Sequence, residues 1–376
     1  MTSAATTGVA TTGADATSAP TFAVVPGAQV HEALHGHEQD VIATVEAAYR
    51  LHGEGRTVNP DSYFLRFPDR PSDRIIALPA SLRASGAGDG SASADSSDSA
   101  SNDPGVHGIK WISSFPGNVA AGLPRASAVL ILNDAETGYP FACLESSIIS
   151  AARTAASAAL AAARLADARG ERPRRVGFFG VGLIARYLHT YLAANGFDFT
   201  EAGVHDLSAD HAHGFADYLR RAEGEDLAVT VHEKPEDLVR SADLVVFATV
   251  AGEPHVTDPA WFAHHPLVLH ISLRDLSPEI VLDSWNVVDD IDHCLKAGTS
   301  PHLAEQRVGH REFVAGTLYD VLTGTITPPA DRTVVFSPFG LGVLDLAVAK
   351  HVHDQVLAAG RLHTVPDFFH ELKRYG

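Results

Sequence analysis

The sequence predicts a two-domain α/β protein in which a doubly wound parallel sheet is joined to a smaller α+β domain. Its 376 residues exceed the size at which a single hydrophobic core usually stops growing. The second half alternates short apolar strands with helical segments, the pattern of a parallel sheet covered by helices on both faces. The first half carries closely spaced strands broken by Pro, Gly, Asn and Asp, as an antiparallel sheet would.

Taken in order, residues 1–20 are rich in Thr, Ala, Ser and Gly, with no basic segment leading into a continuous apolar run. They read as a disordered tail, not a secretory signal. The first domain is expected over residues 21–147, with a helix near Glu38–Leu51 and strands at Ile75–Leu78, Gly108–Ser113, Ala126–Leu132 and Phe141–Leu144. Residues 84–105 are Ser-, Gly-, Ala- and Asp-rich and too poor in large apolar groups to offset the entropy of ordering, so a solvated loop is expected there. Asn133–Gly138 has the composition of a hairpin turn. Ile148–Ala168 is Ala-rich with no Gly or Pro, which suits a helix leading into a second domain over residues 148–329. Strands are expected there at Val176–Phe179, Ala202–His205, Ala228–Val231, Leu244–Ala248, Leu267–Ile271 and Val287–Asp289. A last helix, Val343–Ala359, stops at Gly360 and returns to the first domain within residues 330–376.

Composition narrows the function classes. With 28 basic and 46 acidic residues the net charge is −18, which opposes binding of a phosphate backbone, so no nucleic-acid partner is expected. No apolar run is long enough to span a bilayer, and no membrane partner is expected. Cys143 and Cys294 have no Cys-x-x-Cys spacing, which argues against a disulfide framework and a zinc site and fits a reducing cytoplasm. The 21 histidines include pairs at His35/His37, His211/His213, His264/His265 and His351/His353, without an acidic or cysteine partner at ligand spacing, so no metal is expected. His293 and His302 lie where a cleft could form, and their roles stay open.

The most specific motif follows the first strand of the second half. Arg175-Val-Gly-Phe-Phe179 runs into Gly180-Val-Gly182-Leu-Ile-Ala185 and then a helix, the strand–turn–helix context of a Rossmann-type dinucleotide site. There Gly180 permits the tight turn, Gly182 lets backbone N–H groups approach a pyrophosphate, and Ala185 allows close packing of helix on strand. Asp206 ends the next strand about twenty residues on, where an acid binds the ribose hydroxyls. A carboxylate there repels a 2′-phosphate, so NAD is the expected cofactor. The bland alternative is two turn glycines and a surface acid.

Lys110 sits in the otherwise apolar strand Gly108–Ser114, where it must snorkel, pair or bind an anion, unless it simply faces solvent. Arg66, Arg74, Arg125 and Arg153 could join it in a cationic cluster suited to a small amino-acid substrate with several carboxylates. Asp275, in His270-Ile-Ser-Leu-Arg-Asp275, falls at the ligand-binding edge of a parallel sheet. It could act as general base or cap the following turn.

Gly-Ile-Lys-Trp-Ile-Ser-Ser-Phe-Pro-Gly-Asn (108–118), Leu-Pro-Arg-Ala-Ser-Ala-Val-Leu-Ile-Leu-Asn-Asp (123–134), Ile-Ser-Ala-Ala-Arg-Thr-Ala-Ala-Ser (149–157) and the glycine motif together resemble the ornithine cyclodeaminase/mu-crystallin family from about Tyr63 onward. The likeness is greatest to its branch in 2,3-diaminopropionate biosynthesis, the N-(2-amino-2-carboxyethyl)-L-glutamate dehydrogenases that supply siderophore or antibiotic precursors. It implies a homodimer whose first domain binds substrate and mediates dimerisation. It also implies catalytic Lys110 and Asp275, substrate-binding Arg66, Lys110 and Arg153, and cofactor contacts from Arg153, Thr154, Gly180, Gly182, Leu183, Ile184, Asp206, Thr249 and Ser272. The implied reaction oxidises a secondary amine with NAD and splits the imine into 2-oxoglutarate and L-2,3-diaminopropionate. Ser-Leu-Arg-Asp (272–275) departs from the Gly-rich loop of the cyclodeaminases, which counts against proline formation. The alternatives are an ornithine cyclodeaminase, a ketimine reductase and a ligand-binding protein without turnover.

Overall fold

The computed structural model describes residues 20–83, 105–224 and 227–372. The expected tail at 1–20, save Pro20, and the expected loop at 84–105, save Gly105, lie outside the described residues. Two eight-stranded sheets form the frame.

The first sheet contains β1 (Phe22–Val25), β2 (Thr57–Val58), β3 (Tyr63–Phe67), β4 (Arg70–Leu82), β5 (Val106–Ser114), β6 (Ala126–Asp134) and β7 (Pro140–Glu145), closed by a C-terminal strand, His363–Val365. Its order is C-terminal strand, β1, β7, β6, β5, β4, β2, with β3 pairing on β4. It is mixed rather than antiparallel throughout, because β1 runs parallel to β7. Sequence reading missed β1, β2 and β3, since half-exposed or very short strands carry too little alternation. The 133–138 turn forms: Asp134 Oδ1 accepts from the N–H groups of Glu136 and Thr137 and from the Thr137 hydroxyl. Gly138 takes the left-handed conformation, φ 73°.

The second sheet is wholly parallel and contains β8 (Arg175–Phe179), β9 (Glu201–His205), β10 (Ala228–Val231), β11 (Leu244–Phe247), β12 (Leu267–His270), β13 (Trp285–Val288), β14 (Val314–Thr317) and β15 (Val334–Ser337). The order is β10-β9-β8-β11-β12-β15-β13-β14. The winding direction reverses between β8 and β11, and the crevice at their C-terminal ends is where such sheets bind ligands. One boundary needs correction. β15 is fully buried between β12 and β13, so the chain returns to the first domain after Ser337, not at residue 330.

Helix α1 (Gly27–Leu34) packs on β7, helix α2 (Glu38–Gly53) packs chiefly on α3 (Ser147–Arg169) and on the helix Gly342–Ala358, and α3 links the two domains. Poly-Ala composition suits α3 twice over: Ala has the highest helix propensity, and its small side chain lets α2 and the Rossmann helix α4 (Leu183–Ala194) pack closely on either side. The helix ends at Gly170, whose φ of 81° closes a left-handed cap. The C-terminal helix Gly342–Ala358 lies on the first sheet beside α2. Among the described residues no helix is long and apolar enough to cross a membrane.

Candidate active site

The nucleotide end of the crevice is set by glycine geometry. Gly180 follows β8 with φ 74°, and a Cβ there would lie 2.8 Å from the Ala248 carbonyl oxygen and from Thr249 Cα. Only glycine lets the turn pass so near the end of β11. A Cβ on Gly182 would meet nothing within 4 Å, and α4 begins beside that open space with no side-chain cap. Its first N–H groups are therefore free for an anion. Leu183 is exposed, Ile184 half-buried and Ala185 buried on the sheet. Asp206 accepts from the N–H of Val181 at 3.1 Å and of Ser208 at 2.9 Å, which fixes its carboxylate beside the turn. These residues fit a dinucleotide. Gly180→Ala is expected to weaken NADH binding at least ~10-fold through left-handed strain and the clash with Thr249, as read by fluorescence titration.

Across the crevice Asp275 is wholly buried. Oδ1 accepts from Thr249 Oγ1 and stands 3.0 Å from His255 Nε2, while Oδ2 accepts from Ser272 Oγ. His270 Nε2 lies 3.3 Å from Oδ2 and 3.1 Å from the Asp275 backbone N–H, and its Nδ1 is 3.2 Å from Ser337 Oγ. Burial alone would raise the carboxyl pKa, but the hydrogen bonds from His255, His270 and Ser272 outweigh it and hold the group well below the usual carboxylate range. Asp275 does not cap the next helix; Ser277 holds that position.

Lys110 does not face solvent. It is 2% exposed, and Nζ donates to Asp345 Oδ2 at 2.6 Å and to Ser150 Oγ at 3.3 Å. Arg153 Nε donates to the other oxygen of Asp345 at 3.0 Å. Two cations thus share one wholly buried carboxylate. Burial pushes the Lys110 pKa down to about 8, with Asp345 opposing and Arg153 adding to the fall. The backbone of Gly340 packs on the Arg153 guanidinium, where a Cβ would lie 2.7 Å from Nη1. Asp289 pins that loop by accepting from the N–H groups of Phe339 (2.9 Å) and Gly340 (2.6 Å).

The remaining arginines gather at the edge of the first sheet. Arg66 on β3 pairs in register with Arg74 on β4, and Arg74 pairs with Ser114 on β5. Arg125 donates to the Ser114 hydroxyl at 2.8 Å. The charge of Arg74 lowers the pKa of Arg125, and it lowers that of Arg274 as well, each already depressed chiefly by burial. Arg274 precedes Asp275, so this cluster bridges the two domains. Among the described residues none of Arg66, Arg74, Arg125 and Arg274 has a carboxylate partner within ion-pair distance.

Thus Thr249, Ser272 and Asp275 converge in one hydrogen-bonded group, Lys110 and Arg153 in another, and Gly180, Gly182 and Asp206 at the nucleotide turn. Thr154 donates to the Ser150 carbonyl of its own helix at 2.7 Å, and Arg66 lies exposed with its guanidinium over Phe64. His293 bonds Asp290 (3.1 Å) and Asn59 (3.1 Å), whereas His302 accepts from the Gly298 N–H. Sequence reading missed Asp345, Asp289, Arg274, His255 and His270. Asp345 carried a usable signal: one acid inside the apolar run Leu341–Val348, the same anomaly that singled out Lys110.

The chain matches the ornithine cyclodeaminase/mu-crystallin family over residues 24–360. It belongs to that family. Among relatives, the N-((2S)-2-amino-2-carboxyethyl)-L-glutamate dehydrogenase of Staphylococcus aureus is 28% identical, covering 87% of this chain and 93% of the relative. The alanine dehydrogenase of Archaeoglobus fulgidus is 27% identical over 85% of this chain and 91% of its own. A solved archaeal alanine dehydrogenase dimer with bound NAD superposes with a TM-score of 0.78 at 25% identity, covering 93% of this chain and all of that one.

Proposed function

We propose that the protein is an NAD-dependent dehydrogenase that oxidises the secondary amine of N-(2-amino-2-carboxyethyl)-L-glutamate, releasing 2-oxoglutarate and L-2,3-diaminopropionate. The observation that carries this reading is the group of three arginines, Arg74, Arg125 and Arg274, that have no carboxylate within ion-pair distance among the described residues, in a chain with net charge −18. Uncompensated guanidinium groups in an acidic protein call for anions from outside, and a substrate with three carboxylates supplies them. Ornithine sets one carboxylate against two ammonium groups and is a net cation, whereas the tricarboxylate is a net anion with the same number of amines, which disfavours the cyclodeaminase alternative. The relative from S. aureus carries this activity in its name.

Bound between Gly182 and Asp206, NAD would supply the hydride acceptor. Arg153 and Lys110, their positions fixed by Asp345, orient one substrate carboxylate through the N–H groups that Asp345 leaves over. Arg74, Arg125 and Arg274 take the others. Asp275 holds Thr249, Ser272 and His255 in place at the cofactor's edge.

A homodimer accords with this reading, because Tyr63, Trp111 and Val129 form one exposed apolar row across β3, β5 and β6, aligned through Ala77.

The test is NADH absorbance with purified protein, NAD and each of three amines: N-(2-amino-2-carboxyethyl)-L-glutamate, alanine and ornithine. NADH is expected with the first. Proline from ornithine without net NADH, or faster NADH from alanine, would overturn the reading. In Arg274→Leu the KM for the tricarboxylate is expected to rise ~10–100-fold, the loss of one charge-assisted contact, while NADH affinity stays unchanged.

A further inference from the structure

Asp275 is poorly suited to accept a proton, although its place in the crevice invites that role. Its two oxygens already accept from the Thr249 and Ser272 hydroxyls and face the His255 imidazole, and a carboxylate so well supplied with donors is a weak base. An acid–base group works best with a pKa near the operating pH and a free lone pair towards the substrate.

His255 meets the geometric requirement. It lies in the loop that follows β11, the same loop as Thr249, at the C-terminal edge of the parallel sheet. Its backbone N–H and that of Val256 donate to the Asp275 carbonyl at 3.0 and 2.9 Å. The side chain returns to the Asp275 carboxylate through Nε2 at 3.0 Å. The loop is therefore tied to Asp275 by main chain and side chain together, and the ring has little freedom to turn. Because Asp275 accepts at Nε2, that nitrogen carries the hydrogen and Nδ1 carries the lone pair. Nδ1 has no hydrogen-bond partner among the described residues, and the side chain is 41% exposed.

We infer that His255 is the acid–base residue of this site and Asp275 its positioning residue, with proton exchange at Nδ1. The inference rests on the amine-oxidation reading above. In that step Nδ1 takes a proton from the substrate ammonium nitrogen, and the freed lone pair forms the C=N bond as the α-C–H bond breaks. The C–H electron pair leaves as hydride for the nicotinamide, so the substrate is oxidised and NAD reduced. The imidazolium passes its proton to solvent, and water then splits the iminium into ketone and ammonium without further proton input.

Two readouts test this. In His255→Ala, kcat for the tricarboxylate amine should fall ~10²–10⁴-fold with NADH affinity unchanged, and added imidazole should restore part of it. His255→Gln, whose amide can still donate to Asp275, should be equally slow. In the cofactor-free protein, ¹⁵N NMR should find the His255 ring in the Nε2–H tautomer, and Asp275→Asn should abolish that preference. A kcat for His255→Ala within about threefold of wild type, or a dominant Nδ1–H tautomer, would overturn the proton role alone. A wild type that oxidises none of the amines would instead overturn the substrate reading, and the proton-acceptor role with it.

Discussion

Replacing Asp345 with leucine is expected to cost about 3–5 kcal/mol of stability, the usual consequence of removing one member of a buried charge cluster. Lys110 and Arg153 would be left as two cations without a counter-ion in a dry site. Lys110 responds to pH in a definite direction. Its folded-state pKa, about 8, lies below its ordinary value of 10.5, so burial of its charge penalises folding in full below pH 8, and the penalty is relieved as pH rises from 8 to 10.5. Without Asp345 the folded value drops further, and relief begins at lower pH. Urea unfolding from pH 5 to 10 should therefore find the Asp345→Leu deficit shrinking as pH rises towards 8 and level above it, and the double variant Lys110→Met/Asp345→Leu recovering part of it at pH 7. A deficit independent of pH would mean that the pair does not carry the energy assigned to it.

The second large effect is expected at Asp275. Its carboxylate gathers Thr249, Ser272, His255 and His270 from the loops after β11 and β12. Asp275→Asn keeps one acceptor oxygen and turns an NH₂ group towards these donors. A stability loss of about 1–3 kcal/mol at neutral pH follows from the donors left unsatisfied, together with a fall in kcat of about 10²-fold or more, because His255 and Thr249 lose their anchor. The folded-state pKa of Asp275 is depressed, so its stabilisation is present above the ordinary carboxylate value of 3.8 and is lost as pH falls below it. Acid titration followed by circular dichroism should find wild type losing stability more steeply than Asp275→Asn below about pH 4. Parallel acid limbs would contradict the role given to this carboxylate.

The nucleotide half of the protein was readable from its residues because the chemistry is local. Gly180, Gly182, Ala185 and Asp206 act through backbone conformation and through one strand–turn–helix unit, and spacing along the chain reports both. The parallel-sheet strands β8 to β13 were readable for a similar reason: each is a short, largely apolar run between turn residues. β15 has the same character, yet its run follows a segment rich in Thr and Pro, and no local property told that it inserts between β12 and β13.

The site itself is different. Lys110 stood out as a charge in an apolar strand, but its partner lies 235 residues away, and Arg153 reaches the same carboxylate from α3. Arg274 joins Arg74 and Arg125 only because the two domains close on one another. His255 and Asp275 are twenty residues apart on separate loops, brought together by main-chain hydrogen bonds between those loops. By itself the sequence determined the fold class, the dinucleotide turn and which residue types were available for charge chemistry. Only the tertiary structure decided which carboxylate neutralises Lys110, which arginines lack a carboxylate partner among the described residues and which His255 nitrogen has no hydrogen-bond partner among them. The reason is physical: backbone geometry is set by near neighbours in the chain, whereas charge compensation in a buried site is set by neighbours in space.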